Sequence, residues 1–334
     1  MKKLLPIFAI ALFSIASIAQ TARVQVIHNS ADAAAAEVDV YINTDLALDD
    51  FAFRTATPFL DLPAGVEINI GIAPGNSTDV GDVLLTVPVT LTADEKYIVV
   101  ADGIVSPTGY NPAPPLTLQV YPMALEMASN PANVDILVHH GSTDAPTVDV
   151  VETGVGAGTI VDDISYTEFQ GYLELPTSDY VVEIRDASGT VGVAAYQAPL
   201  ATLGLDGAAL TVLASGFLDP SQNSNGPQFG LFVASPLGGD LLELPSAPLG
   251  VNEFSDASFS IYPNPVNDRL YISANNIDLS QYSVAITDML GRILTNDVLN
   301  IDNTVKVDNL SEGIYNLTIL DGNRIVISKK FVKN

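Results

Sequence analysis

Apolar and polar residues alternate with a period of two through most of this chain. Val24-Gln25-Val26-Ile27, Glu37-Val38-Asp39-Val40-Tyr41-Ile42, Glu67-Ile68-Asn69-Ile70, Tyr97-Ile98-Val99-Val100 and Asp179-Tyr180-Val181-Val182-Glu183-Ile184 each read as a strand. The runs are short and are broken by Gly, Pro, Asn and Asp, which predicts antiparallel sandwiches. No stretch of helical period stands out, and residues 123–129 read as a turn of helix or as a link between domains. Four more strands follow near the C-terminus, at 269–273, 283–287, 314–319 and 324–328, joined by Gly-containing turns such as Asp321-Gly322.

The alternating segments belong to an internal repeat. Val26-Ile27-His28-Asn29-Ser30-Ala31-Asp32-Ala33 aligns with Val138-His139-His140-Gly141-Ser142-Thr143-Asp144-Ala145 at an offset of 112. Val38-Asp39-Val40 aligns with Val148-Asp149-Val150, Asp49-Asp50 with Asp162-Asp163, Leu60-Asp61-Leu62-Pro63 with Leu173-Glu174-Leu175-Pro176, and Gly103 with Gly216. The offset moves only between 110 and 113. Two homologous domains follow, each long enough to hold its own core.

Charge separates this body from its tail. Residues 21–250 carry 29 acidic side chains against four basic ones, Arg23, Arg54, Lys96 and Arg185, whereas 251–334 carry a net charge of only −3. A phosphate binder must offer Lys and Arg, so nucleic acid and anionic lipid headgroups are poor partner candidates and no nucleic-acid partner is expected. Disorder goes with low hydrophobicity as well as high charge, and the 48% apolar content argues for a folded chain. Cysteine is absent, which excludes disulfides, thiol catalysis and Cys-based metal centres.

The two ends carry transport signals. Lys2 and Lys3, an apolar run over 4–15 and Ser17-Ile18-Ala19 read as a removable signal peptide over 1–19. No other segment reaches the roughly 18 apolar residues of a transmembrane span, so a soluble mature protein is expected. At the other end stand Ile261-Tyr262-Pro263-Asn264-Pro265, Asp288-Met289-Leu290-Gly291-Arg292, Leu310-Ser311-Glu312-Gly313-Ile314-Tyr315 and Lys329-Lys330-Phe331-Val332-Lys333-Asn334. In that order they resemble the C-terminal sorting domain of the type IX secretion system of Gram-negative bacteria. The resemblance implies that the secretion machinery is a partner, and that the protein is secreted or placed on the outer cell surface by way of the periplasm. Tyr262, Pro263, Asn264, Pro265, Gly291, Arg292, Gly313 and Tyr315 are the sorting-motif positions; Gly291 and Gly313 are expected to serve turns, and 262–265 to lead into the first strand.

The repeat resembles the domain of unknown function 4397 family, with its His-x-Ser-Pro-Asp-Ala-Pro signature followed by Val-Asp-Val. The second copy departs by Thr143 for the first proline, and the first copy has Ala31 and Ala34 at both proline positions. The resemblance implies Ig-like sandwiches and no transferable activity. The expected architecture is all-β: a signal peptide 1–19, Ig-like antiparallel sandwiches over 20–122 and 132–245, a linker over 246–257 and a small Ig-like sorting sandwich over 258–334.

His28, Ser30, Asp32, His140, Ser142 and Asp144 are the candidate binding residues. A His with an Asp four positions on could hold a ligand or orient a base, since a carboxylate fixes the imidazole tautomer. The same residues also cap turns, Asp and Ser bonding backbone N–H groups. The three His of the chain and the lack of Gly-x-Ser-x-Gly leave no catalytic triad visible. No metal or cofactor is assigned. Calcium is an alternative at the acidic segments 45–50, 77–82 and 162–163, although no EF-hand or His-Glu-x-x-His pattern occurs. Asp49 and Asp50, adjacent on a strand, are expected to face opposite sides. With no Trp and 7% aromatic residues, a broad glycan platform is disfavoured. Residues 110–115 and 219–227 form long loops, a class often functional or disordered.

Three functions fit. The first is a non-catalytic exported protein whose sandwiches bind a surface glycan or protein ligand as adhesion modules. The second is a carboxylate-dependent hydrolase, and the third a structural spacer.

Overall fold

The computed structural model describes residues 20–249, 259–274, 279, 282–289, 291–298, 303–321 and 324–334. The expected signal peptide and all but the first four residues of the expected linker lie outside these residues. Among the described residues the regular structure is β, apart from short 3₁₀ turns such as those at Ala33–Ala35, Val80–Asp82 and Pro220–Gln222. None forms a helix long and apolar enough to cross a membrane. The chain divides into two compact units, 1–249 and 250–334.

The first repeat contains β1 (Thr21–His28), β2 (Glu37–Ile42), β3 (Asp45–Ala52), β4 (Thr55–Ala56), β5 (Leu60–Pro63), β6 (Glu67–Pro74), β7 (Leu85–Thr90), β8 (Lys96–Asp102) and β9 (Thr117–Pro122). One sheet runs β3-β2-β6-β7, and the other is built on β4-β1-β8-β9 with β5 also paired to β1. The second repeat contains β10 (Asn133–His140), β11 (Val148–Glu152), β12 (Gly158–Ile164), β13 (Phe169–Pro176), β14 (Asp179–Asp186), β15 (Gly192–Pro199), β16 (Ala209–Ser215) and β17 (Gly230–Ala234), followed by the short β18 (Gly239–Asp240), β19 (Leu242–Glu243) and β20 (Ser246–Ala247). Its sheets run β12-β11-β14-β15-β20 and β13-β10-β16-β17-β19. Each repeat is thus a two-sheet sandwich. Pairing is antiparallel except at β1 with β8 and β10 with β16, which run parallel at matching places in the two copies.

The two sandwiches share a seam, and that seam explains the longest apolar runs. Along β8, Tyr97, Val99 and Ala101 face the first core, while Ile98 and Val100 face the second repeat. Along β10, Val134 and Ile136 face the second core, while Leu137 turns to the seam. Strands buried on both faces lose the polar half of the alternation. Ile27, Phe59, Leu213, Phe232 and Leu241 complete the seam cluster. β18 extends the arrangement by pairing with β4 of the other repeat. The segment 123–129 forms no helix and runs beside this seam, with Leu125 N–H donating to the Tyr172 hydroxyl at 3.0 Å.

The two long loops also meet. Asn111 N–H donates to Asn223 Oδ1 at 3.0 Å, Ser224 Oγ donates to the Gly109 carbonyl at 2.9 Å, and the Tyr110 and Phe217 rings lie 5.6 Å apart. Their length is therefore spent on a contact between repeats.

The C-terminal unit has its own core of Phe259, Leu270, Ile272, Val284, Ile286, Leu317, Ile319 and Phe331. Its strands are β21 (Phe259–Tyr262), β22 (Arg269–Ala274), β23 (Tyr282–Asp288), β24 (Ile293–Val298), β25 (Thr304–Lys306), β26 (Gly313–Asp321) and β27 (Arg324–Lys333). They form a β21-β22-β25 sheet and a β24-β23-β26-β27 sheet. The alternation picked out β22, β23, β26 and β27; β21, β24 and β25 are the additional ones.

Candidate functional site

The repeated motif closes on itself in each copy. Ser30 Oγ donates to the Gly103 carbonyl at 2.6 Å, and Ser142 Oγ to the Gly216 carbonyl at 2.7 Å. Asp32 accepts from the N–H groups of Ala34, Val105 and Ser106 and from the Ser106 hydroxyl, at 2.6–2.9 Å. Asp144 accepts from the N–H groups of Leu218 and Asp219 at 2.8 Å and from Asn223 Nδ2 at 3.0 Å. His28 Nε2 meets the Ala35 carbonyl at 2.7 Å and His140 Nε2 the Pro146 carbonyl at 3.1 Å. The loop after β1 is thereby fastened to the loop after β8, and the loop after β10 to the loop after β16. These contacts match the turn-capping reading of the motif.

Glycine is required on the receiving side. Gly103 and Gly216 adopt φ of +104° and +85°, and a Cβ at either would lie 2.3–2.4 Å from a backbone carbonyl oxygen. Only a residue without a side chain allows that approach.

Beside the motif lies a buried polar node that joins the repeats. Asp102 Oδ2 stands 2.6 Å from His139 Nε2, with both side chains fully buried. Asn29 Nδ2 donates to Asp102 Oδ1 at 2.8 Å, and His139 Nδ1 lies 3.1 Å from the Glu168 carbonyl. Asn29 occupies the space above Gly141, where a Cβ would come within 2.0 Å of its amide nitrogen. The difference between His-Asn-Ser and His-Gly-Ser in the two copies is thus a fit across the seam. Gln25 adds a second polar tie, donating to Thr57 O in its own repeat and Ser235 O in the other, both at 2.8 Å. Arg54 adds a third: its guanidinium stacks 3.7 Å from the Phe232 ring centroid, and Nε donates to Ser215 Oγ at 3.0 Å.

Burial sets the titration of these groups. It pushes the His28 imidazole down to about 4, with the Ala35 carbonyl and Asp102 offsetting only part of the effect. His140 is lowered for the same reason. Burial pushes Asp32 upward, but the bonds from Ala34 and Ser106 outweigh it and hold the carboxyl below its usual range. A histidine kept neutral in the folded state contributes stability that is present above its unfolded value near 6.5 and is lost as pH falls toward 4. For His28 that amounts to about 3 kcal/mol at most. Denaturation midpoints measured from pH 7 to pH 4 are expected to fall less steeply in His28→Gln than in the wild type; parallel curves would contradict the assignment.

The acidic segments show one difference from the strand-based expectation. Asp50 has φ of +50° at a bulge in β3, and carboxylate oxygens of Asp39, Asp49 and Asp50 lie within 4.8 Å of one another. A regular strand would separate Asp49 from Asp50; the left-handed residue brings them together. Asp39, the buried member, already accepts from Asp50 N–H at 3.0 Å and from the Ser77 hydroxyl at 2.5 Å. Asp149 repeats the first bond, accepting from Asp163 N–H at 2.8 Å. The Val-Asp-Val signature thus ties down the bulge in both copies.

In the sorting unit, Tyr262 ends β21 and Pro263, Asn264 and Pro265 form the turn to β22, so this segment follows a strand as well as leading into one. Asn264 stitches the turn to the last strand, its Oδ1 accepting from Val332 N–H at 2.8 Å and its Nδ2 donating to the Lys330 carbonyl at 3.2 Å. Gly291 has φ of +81° in the turn where Arg292 Nε donates to Asp288 Oδ2 at 2.7 Å. Gly313 departs from the expectation: it opens β26 and lies in no turn. Tyr315 donates to the Ser311 carbonyl at 2.8 Å. Asp288, Met289, Arg292, Leu310, Gly313 and Tyr315, from two separate motifs, line one open surface pocket of about 520 Å³.

Two tandem sandwiches clamped by a repeated motif, followed by a separate small sandwich, define the class. Residues 22–119 and 134–225 both match the domain of unknown function DUF4397, and the chain belongs to that family. Residues 260–334 match the secretion system C-terminal sorting domain, so the protein is exported by the type IX route. No curated protein matches the chain. Among solved structures, the Bacillus anthracis TIE protein is similar at 9% identity and a TM-score of 0.18; the match covers 94% of this chain and 48% of that one. The chain therefore spans about half the length of that relative, and a likeness of this degree carries no argument.

Proposed function

We propose that this is a non-catalytic exported protein whose double sandwich acts as a binding module at or beyond the outer surface. The observation that carries this reading is the distribution of charge. Each of the body's four basic side chains is engaged internally: Arg23 and Lys96 with Glu126, Arg185 with Glu183, and Arg54 against Phe232 and Ser215. The acidic excess is left facing outward, with Asp45, Asp49, Asp79, Asp162, Glu174 and Asp240 all exposed. Such a surface attracts cationic groups and repels phosphates, which favours basic proteins, amine-bearing polymers or glycans bridged by calcium. The motif residues that could have carried a reaction are spent on internal bonds, which also supports a binding role over hydrolysis.

The test is a panel of cell-wall polymers, glycans and whole cells offered to the purified chain with and without Ca²⁺, scored for both retention and product release. Retention without product is the expected result. Product release abolished by neutralising exposed acids would favour the hydrolase reading, and an empty panel would leave a spacer.

A further inference from the structure

The β21-β22-β25 sheet of the sorting unit buries one face and gives the other to solvent. Phe259, Leu270, Ile272 and Val305 belong to the core. Alternation puts Ser260, Tyr262, Arg269, Tyr271, Ser273 and Lys306 on the outer side, and all six are exposed. Strand register sorts them into rows: Ser260 opposite Ser273, Tyr262 opposite Tyr271, and Arg269 opposite Lys306. Neighbouring rows on β22 stand two residues apart, about 7 Å along the strand.

The middle row offers rings. They lie 5.6 Å apart and within 11° of parallel, and Tyr262 remains 52% and Tyr271 43% exposed. What they leave open is flat, apolar ring with a hydroxyl at its tip, the kind of surface on which the C–H face of a sugar stacks. The charges of the sheet are equally one-sided. In a chain with 39 acidic and 13 basic residues, these three strands carry Arg269 and Lys306 and no Asp or Glu. A guanidinium meets a carboxylate through two parallel N–H bonds, and an ammonium beside it adds a point charge. On the far side of the tyrosines, the Ser260 and Ser273 hydroxyls both donate and accept.

We propose that this outer face binds an acidic glycan, a chain of sugars bearing carboxylates, laid along the strands. Sugar rings stack on the tyrosine pair, a carboxylate meets Arg269 and Lys306, and sugar hydroxyls meet the serine row. The site is separate from the one proposed on the body, whose acidic surface calls for a partner of the opposite sign. Hydroxyls on one side of the rings and cations on the other fit a charged sugar better than a peptide or a lipid headgroup, which would use the cations alone.

The experiment offers the full chain an oligogalacturonide, its methyl ester, oligoglutamate and phosphatidylglycerol vesicles. It is run at about 0.15 M salt, where the field of the acidic body is screened beyond roughly 8 Å. Titration calorimetry is expected to show binding of the acid sugar, with the ester, the peptide and the vesicles each weaker by roughly fivefold or more. Tyr271→Ala is expected to weaken binding of the acid sugar roughly tenfold, and Tyr271→Phe, which keeps the ring, no more than about twofold. Lys306→Glu is expected to weaken it roughly tenfold by reversing the charge. Should Tyr271→Ala fail to fold, Lys306→Glu, an exposed change on an edge strand, carries the test. Tyr262 stays intact because it belongs to the sorting motif. No binding of the acid sugar, equal affinity for its ester, peptide or vesicles bound as tightly, or full affinity in either folded variant would each overturn the proposal.

Discussion

Replacing Asp102 with alanine is expected to destabilise the body by about 3–5 kcal/mol, the usual cost of removing one partner of a fully buried ionisable pair. The substitution strips His139 of its Nε2 partner and leaves the Asn29 amide without its shortest bond. Because both contacts cross or border the seam, the loss falls on the docking of the two sandwiches as well as on each core. For a unit of this size, a melting temperature about 10 °C lower follows from roughly 2–4 °C per kcal/mol. Asp102→Ala, His139→Ala and the double variant together form a cycle in denaturant. Strong coupling between the two positions is expected. Additive losses, or an Asp102→Ala variant within about 0.5 kcal/mol of the wild type, would show that the node does not hold the repeats together.

The second large effect concerns export. Removal of 258–334 is expected to leave the body folded and retained in the periplasm, because the sorting unit and the body are separate compact units with separate cores. Cell fractionation and protease accessibility of intact cells measure this directly. A truncated protein that reached the surface in wild-type amounts would contradict the role of the tail.

The repeat, the strands and the sorting domain were legible in the sequence because each depends on local pattern. Glu37-Val38-Asp39-Val40-Tyr41-Ile42 alternates as a strand should, and its neighbours in space supply the rest. The seam was not legible. Ile98-Val99-Val100-Ala101 reads as one apolar run, and nothing in the run says that alternate residues serve different cores. The motif was found by self-alignment, yet the residue that couples the copies, His139, stands beside the aligned histidine and has Ile27 at its matching place. Its partner Asp102 lies 37 residues away, at the end of a strand that runs parallel to β1. Asn29 and Gly141 differ at one aligned place of the repeat, and they are two halves of one contact. The bulge at Asp50 escaped because a positive φ on a non-glycine residue leaves no mark in an alternation pattern.

The proposed function rests on an acidic exterior that meets a partner while the motif residues stay inside. The measurement that tests it most directly is retention of whole cells and cell-wall polymers by the purified chain across a salt series, beside a variant carrying Asp45→Asn, Asp49→Asn, Asp162→Asn and Glu174→Gln. Retention that weakens steeply with salt and is lost in the folded variant is the predicted result. Retention that ignores both salt and the four substitutions, or turnover of the polymer in its place, would contradict the account.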